Sequence, residues 1–171
     1  IPLYNSSKTI GKVVEGLIEN FKGKFNYEII IVNDGSKDNS EEICKDLVNK
    51  ENNISLYSLS KNFGEHNAVM AGLNNAKGDF AIIIDDDLQH PFNSIIELVE
   101  FGIKYSFKYD VVYADYSKKK YGLLKRLGSK INDITANIIL KKPKELYLSS
   151  FKIINRFTIN EIIKHKSPYV Y

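Results

Sequence analysis

The residues best suited to chemistry are the carboxylates Asp85, Asp86 and Asp87, which follow the apolar run Phe80 to Ile84 without a spacer. An apolar run of that length predicts a buried strand, so the aspartates emerge together at its carboxyl end. In open α/β sheets that end is where ligands bind. Side chains alternate along an extended chain, which predicts Asp85 and Asp87 on one side and Asp86 on the other. Two carboxylates on one side repel unless a cation lies between them, and a hard divalent ion such as Mg2+ or Mn2+, held by oxygens, meets that need. Gln89 keeps the same parity and adds an oxygen. The competing reading is a turn in which the aspartates cap a helix starting near Pro91 and Phe92. One aspartate is easily used that way; three in a row are not.

Positioning these groups takes strands and helices, and the chain supplies them in alternation. Ile1-Pro2-Leu3 reads as the end of a strand, and Tyr4-Asn5-Ser6-Ser7 as a polar loop whose serines can cap a helix from about Lys8 to Phe21. Ile10, Val13, Val14, Leu17, Ile18 and Phe21 share one helical face. Strands are predicted over Tyr27 to Val32, Ile54 to Leu59 and Asp110 to Ala114. Helices are predicted around Ile43, Leu47 and Val48, around Val69, Met70 and Leu73 with Gly78 as the stop, and around Ile95, Leu98, Val99 and Ile103. This alternation implies right-handed crossovers and a mainly parallel sheet. Asn33-Asp34-Gly35-Ser36 then ends the second strand and shares an edge with the aspartates. A carboxylate there can accept from the N–H groups of a base or the hydroxyls of a ribose; a plain turn, with Ser40 capping the next helix, accounts for the same residues. Neither GxGxxG nor GxxxxGKS occurs, which argues against a dinucleotide enzyme or a P-loop ATPase and leaves a metal as the main holder of any diphosphate.

Composition bounds the rest. At 171 residues, 43% of them hydrophobic, the chain is the size of one domain with a real core. Its 24 basic against 21 acidic residues make no whole-protein case for nucleic acid. Cys44 is the sole cysteine, so no intramolecular disulfide can form, which suits a reducing compartment. Its spacing puts it in a helix as a small buried residue. No stretch reaches the length of a membrane span.

Six ordered blocks carry a resemblance: Ile1-Pro2-Leu3-Tyr4-Asn5, Val32-Asn33-Asp34-Gly35-Ser36, Lys61-Asn62-Phe63-Gly64, Ala71-Gly72-Leu73, Gly78-Asp79 and Asp85-Asp86-Asp87-Leu88-Gln89-His90-Pro91. Together they resemble the family 2 glycosyltransferases of the GT-A fold, an α/β, Rossmann-like, mainly parallel sheet flanked by helices. Within them the chain is most similar to the polyprenyl-phosphate glycosyltransferases, the group of dolichol-phosphate mannose synthase and the bacterial undecaprenyl-phosphate sugar transferases. The resemblance implies inverting transfer from a nucleotide-diphosphate sugar, a UDP- or GDP-sugar, with Mg2+ or Mn2+ bridging the diphosphate. It implies that Pro2, Tyr4 and Asn5 line the nucleotide pocket, that Asp34, with Gly35 and Ser36, meets the base, and that Lys61, Asn62 and Gly64 form the far wall. Asp85 would serve ribose and metal water, Asp86 would join the pocket, and Asp87 and Gln89 would ligate the metal. Ser6 stands where many relatives carry Glu, and Asp86 where they carry a small residue. Residues 1–171 are thus expected to be a single catalytic domain cut from a longer protein, lacking the start of its first strand and C-terminal segments that include any membrane part.

Past Ala114, Lys118, Lys119, Lys120, Lys125 and Arg126 are interleaved with Tyr121, Leu123, Leu124 and Leu127, which predicts an amphipathic helix with a basic shoulder. Such a helix can lie on an anionic membrane surface, hold an acidic acceptor, or simply present a solvated face. The resemblance implies the first two, a juxtamembrane helix whose cations meet the lipid phosphate at the cytoplasmic face. Asp115, Tyr116 and Ser117 stand where the family often has arginine. Leu146 to Ile154 reads as a late strand and Phe157, Ile159, Ile162 and Ile163 as a closing helix. Ser149-Ser150-Phe151-Lys152 aligns with a family block, and the resemblance implies that Lys152 is a cation near the acceptor; an exposed lysine at a strand end accounts for it as well. A polyprenyl phosphate oxygen is already anionic and attacks without a general base, whereas a glycan hydroxyl needs one, for which Asp115 or Asp86 is the candidate. His90 is expected to order the acidic loop, and His66 and His165 to be surface or packing residues. A sugar-nucleotide-binding module without turnover is the remaining reading.

Overall fold

The computed structural model describes residues 1–114 and 149–165. The chain divides into two compact units, Ile1–Val112 with Ser150–Tyr171, and Tyr113–Ser149; the fold and the site below belong to the first. Lys118, Lys119, Lys120, Lys125 and Arg126, with Asp115, lie outside the described residues.

Three parallel strands make one half: β1 (Pro2–Leu3), β2 (Ile29–Asn33) and β3 (Ile54–Ser58), in the order β1-β2-β3. The central strand, Ile-Ile-Ile-Val-Asn, is buried at four of its five positions, as a strand covered on both faces must be. Leu3 pairs with Asn33, so β1 and β2 end level and deliver their loops to one edge. The crossovers are α1 (Ile10–Phe21) and α2 (Ser40–Lys50), and α3 (Glu65–Asn75) leads on to the next strand. The second half contains β4 (Phe80–Ile83), followed by α4 (Phe92–Lys104), β5 (Val111–Tyr113), β6 (Lys152–Asn155) and α5 (Arg156–Ile162). Its strand order is β4-β6-β5, and β6 runs antiparallel to β4 with Lys152 opposite Ile83. The expected parallel sheet therefore holds for the first half, and the late strand enters reversed. That reversal sets the start of β6 beside the end of β4, where the aspartates begin.

Packing follows the apolar spacing. α1 turns Ile10, Val13, Val14, Leu17 and Phe21 inward, and α4 buries Ile95, Leu98 and Val99. Each such side chain contributes roughly 1.5–3 kcal/mol by leaving water. The two helices touch at Gly16, where an added Cβ would lie 2.1 Å from the Phe92 ring. Leu73 of α3 joins Ile154 and Ile159 in a cluster that ties the second half together. Cys44 is fully buried, and burial pushes its thiol up to about 11.

The start of α2 departs from the plain-turn reading of this loop. Ser40 is the first residue of α2 and not its cap, and the N-cap Asn39 makes no side-chain capping bond. Asp38 supplies the acceptor instead: its carboxylate takes the Ser40 N–H at 3.1 Å, the Ser40 hydroxyl, and the Ser7 N–H at 3.0 Å. Burial pushes the Asp38 carboxyl up, but the Ser40 and Ser7 hydrogen bonds outweigh it and bring it down to about 2.

Candidate active site

The carboxyl ends of β1, β2 and β4 and the loop before α3 enclose a cleft of about 430 Å3, lined by Pro2, Leu3, Tyr4, Asp34, Asn62, Gly64, Glu65, Asp85, Asp86, Asp87 and Ser150. A larger cavity, about 720 Å3, opens between the two sheets; its walls are mainly apolar, with Leu17, Phe21, Leu73 and Phe80 among them, and Asp34, Asp85, Asp86 and Asp87 do not line it. The smaller, polar cleft is where chemistry can occur.

Two bridges shape it. Asp34 is buried, and its two oxygens accept the N–H groups of Phe63 at 2.7 Å and Gly64 at 2.8 Å. Asp34 thus fastens the wall formed by residues 61–64. Gly35, at φ +69°, lets the backbones meet, since a Cβ there would lie 2.7 Å from the Asn62 nitrogen. Asn5 (φ +53°) and the loop after β2 bond reciprocally: the Asn5 N–H donates to Ser36 Oγ at 3.0 Å, and Asn5 Oδ1 accepts the Lys37 N–H at 2.8 Å. Among the residues expected to bind nucleotide, Pro2, Tyr4, Asp34, Asn62, Gly64, Asp85 and Asp86 line the cleft. Asn5, Gly35 and Ser36 hold its loops, and Lys61 lies with its Nζ 5.1 Å over the Phe63 ring.

The acidic loop departs from strict alternation. β4 ends at Ile83, so Asp85 to Asp87 lie beyond the pleat, and Leu88 at φ +63° turns the chain. All three aspartates consequently face the cleft, and Asp86 accepts the Tyr4 N–H at 3.1 Å instead of pointing away. Asp87 accepts the Gln89 N–H at 3.0 Å. One oxygen of Asp85 receives two partners: His90 Nε2 lies 3.0 Å away and Ser150 Oγ donates at 2.9 Å. The His90 bond, then that of Ser150, holds the Asp85 carboxyl below its ordinary range against burial. His90 stacks on the buried ring of Phe151, with centroids 4.5 Å apart. The expectation that His90 orders this loop therefore acquires a specific geometry. At the same end, burial lowers the half-buried Lys152 ammonium, opposed by the charges of Glu65 and Asp85.

Comparison with known proteins decides what this arrangement belongs to. The model of the family described as "Glycosyl transferase family 2" matches residues 1–163. The chain is a family 2 glycosyltransferase. It is 32% identical to the uncharacterized glycosyltransferase YkcC of Bacillus subtilis over 99% of its own length and 53% of that protein. It is 34% identical to the undecaprenyl-phosphate 4-deoxy-4-formamido-L-arabinose transferase of Edwardsiella ictaluri over 96% of its length and 49% of the relative. The chain thus spans about half the length of the curated relatives it matches. Glucosyl-3-phosphoglycerate synthase from Mycobacterium tuberculosis, solved with Mn2+, UDP-glucose and phosphoglyceric acid, superposes with a TM-score of 0.70 at 18% identity, covering 91% of this chain and 55% of that one. The shared fold is GT-A.

The glycosyltransferase's cleft offers oxygen donors of the kind a small hard cation takes. Mg2+ and Mn2+ use one or two protein carboxylates and complete their shells with water and phosphate oxygens. The carboxylate of Asp87, which lines the cleft, fits that pattern; Gln89 is exposed and is not among the lining residues, and it meets Asp87 through its backbone N–H. Among the described residues no group of three His, Cys, Asp or Glu side chains converges as a closed cage. Two polar residues of the cleft have no role assigned from the sequence. Glu65 opens α3 directly after the Asn-Phe-Gly loop, and that position in a first helical turn was its only signal. Ser150 lies far from Asp85 in sequence, and only the antiparallel pairing of β6 brings them together.

Proposed function

We propose that this glycosyltransferase moves a sugar, with inversion, from a UDP- or GDP-sugar to a polyprenyl phosphate at the cytoplasmic face of a membrane. The observation that carries this reading is Lys152. A half-buried ammonium at the start of β6, next to the acidic loop, provides for an anionic acceptor where a hydroxyl acceptor would call for a base. Asp85, the carboxylate beside it, is engaged with His90 and Ser150, and one oxygen of Asp86 is taken by the Tyr4 N–H. The names of the undecaprenyl-phosphate relatives and the UDP-glucose and Mn2+ of the solved synthase lend the same reading support.

The division of labour follows from charge. Tyr4, Asp34 and the 62–64 wall receive the nucleotide, and Asp87 and Gln89 would hold Mg2+ or Mn2+. When bound, such an ion neutralises charge on the diphosphate as it leaves. Asp85, fixed by its two partners, keeps the loop bearing these ligands in place. Lys152 draws the acceptor phosphate toward the anomeric carbon, and the alignment lowers the barrier; Lys118, Lys119, Lys120, Lys125 and Arg126 are, by the resemblance, further cations for a lipid phosphate. A second reading rests on Glu65, an exposed carboxylate on the cleft wall that could serve a hydroxyl acceptor as base. Incubation with labelled UDP- and GDP-sugars, Mn2+ and either undecaprenyl phosphate or an oligosaccharide separates them. Label is expected in the lipid extract; label in the oligosaccharide alone, or in neither acceptor, overturns the proposal.

A further inference from the structure

On the last turn of α4 and the loop that joins it to β5, four aromatic rings form a continuous cluster for which the reaction has no use. Phe101 lies 4.5 Å from Tyr105 and 6.4 Å from Tyr109, and Tyr105 lies 6.4 Å from Phe107. Three are well exposed: Phe101 at 43%, Tyr109 at 41% and Phe107 at 83%. Lys104 Nζ stands 5.4 Å over the Tyr105 ring and Lys108 Nζ 5.1 Å over that of Tyr109. No acidic residue falls between positions 101 and 109. Glu100 and Asp110 flank the cluster, and the Asp110 carboxylate is taken up by Asn155 Nδ2 at 2.8 Å.

A second copy of the chain is a poor occupant. At about 200 Å2 per ring, the exposed parts of these three amount to about 300 Å2, well short of the roughly 800 Å2 each partner contributes to a stable interface. The chemistry instead matches a bilayer surface: apolar ring bodies, tyrosine hydroxyls, and ammonium groups lying over the tyrosine rings on flexible stems that can reach lipid phosphates. We infer that this turn docks on an anionic lipid surface, with Phe107 entering the headgroup layer and Lys104 and Lys108 meeting lipid phosphates. The thirteen residues of α4 separate the turn from the acidic loop by about 20 Å. It is therefore a contact distinct from the acceptor site, one that orients the domain.

The chain contains no tryptophan, so Phe107→Trp introduces a single indole at the proposed contact. Its emission is expected to shift to the blue when vesicles of phosphatidylglycerol and phosphatidylcholine are added, and not with phosphatidylcholine alone. Adding Lys104→Gln and Lys108→Gln should weaken the response about thirtyfold, at about 1 kcal/mol for each cation near an anionic surface. Tyr57→Trp, at the exposed end of β3, reports binding through that face and should stay unshifted. Unmoved emission from the Phe107→Trp variant with anionic vesicles, a response unaltered by the glutamine pair, or a blue shift that grows with protein concentration in the absence of lipid would each overturn the inference, the last by indicating a second copy.

Discussion

At the scale of single residues, the site is held by carboxylates whose partners are backbone and side-chain donors of the chain itself. Asp34 shows this most clearly, since each of its oxygens receives one N–H from the far wall. Asp34→Asn turns one of those oxygens into a donor facing a donor. It should cost about 1–3 kcal/mol, read from urea unfolding, and weaken nucleotide-sugar binding along with it. Ser150→Ala removes one of the two partners of a single Asp85 oxygen. Because that bond positions and does not react, kcat should fall while the donor KM changes little, and Ser150→Thr should restore most of the rate. The type and order of the aspartates were legible in the sequence, as was the edge they occupy. Their orientation was not: alternation holds only inside a strand, and β4 stops at Ile83 before the first of them. What decided Asp86 was a contact with Tyr4, 82 positions away, which no local pattern carries.

At the scale of elements, strand ends and loops do the positioning. Gly35 joins two loops at a distance only a hydrogen side chain permits, with φ in the left-handed region. Gly35→Ala should therefore destabilise by at least about 2 kcal/mol, with loss of donor binding as the 61–64 wall moves. Helical faces such as Ile10-Val13-Val14-Leu17-Phe21 and the apolar run of β2 were readable because burial on one or both faces imposes a period. The pairing of β6 was not, because strand direction is set by the connection and by neighbours, not by composition. That unread feature places Lys152 next to the acidic loop. Lys152→Met, which keeps the aliphatic stem and removes the charge, should lower transfer to polyprenyl phosphate about a hundredfold with the donor Kd unchanged, as steady-state kinetics and calorimetry would register.

At the scale of the molecule, acid should reveal how the loops at the sheet edge are tied. Asp38 is brought from 3.8 to about 2 in the fold. A depressed carboxylate stabilises fully above its unfolded value and ceases to do so as pH falls through the folded one. The urea midpoint should accordingly drop between pH 3.8 and about 2, and Asp38→Asn should flatten that dependence. Asp85, also held below its ordinary range, acts with the same sign. The central claim, that the acidic edge of the sheet binds a nucleotide-diphosphate sugar through a divalent cation, meets its most direct test in calorimetric titration with UDP- and GDP-sugars in Mn2+ and in EDTA. One donor should bind in Mn2+ only, and Asp87→Asn should abolish that binding while leaving the thermal midpoint in place. Equal binding in EDTA, or undiminished binding by Asp87→Asn, would contradict the account.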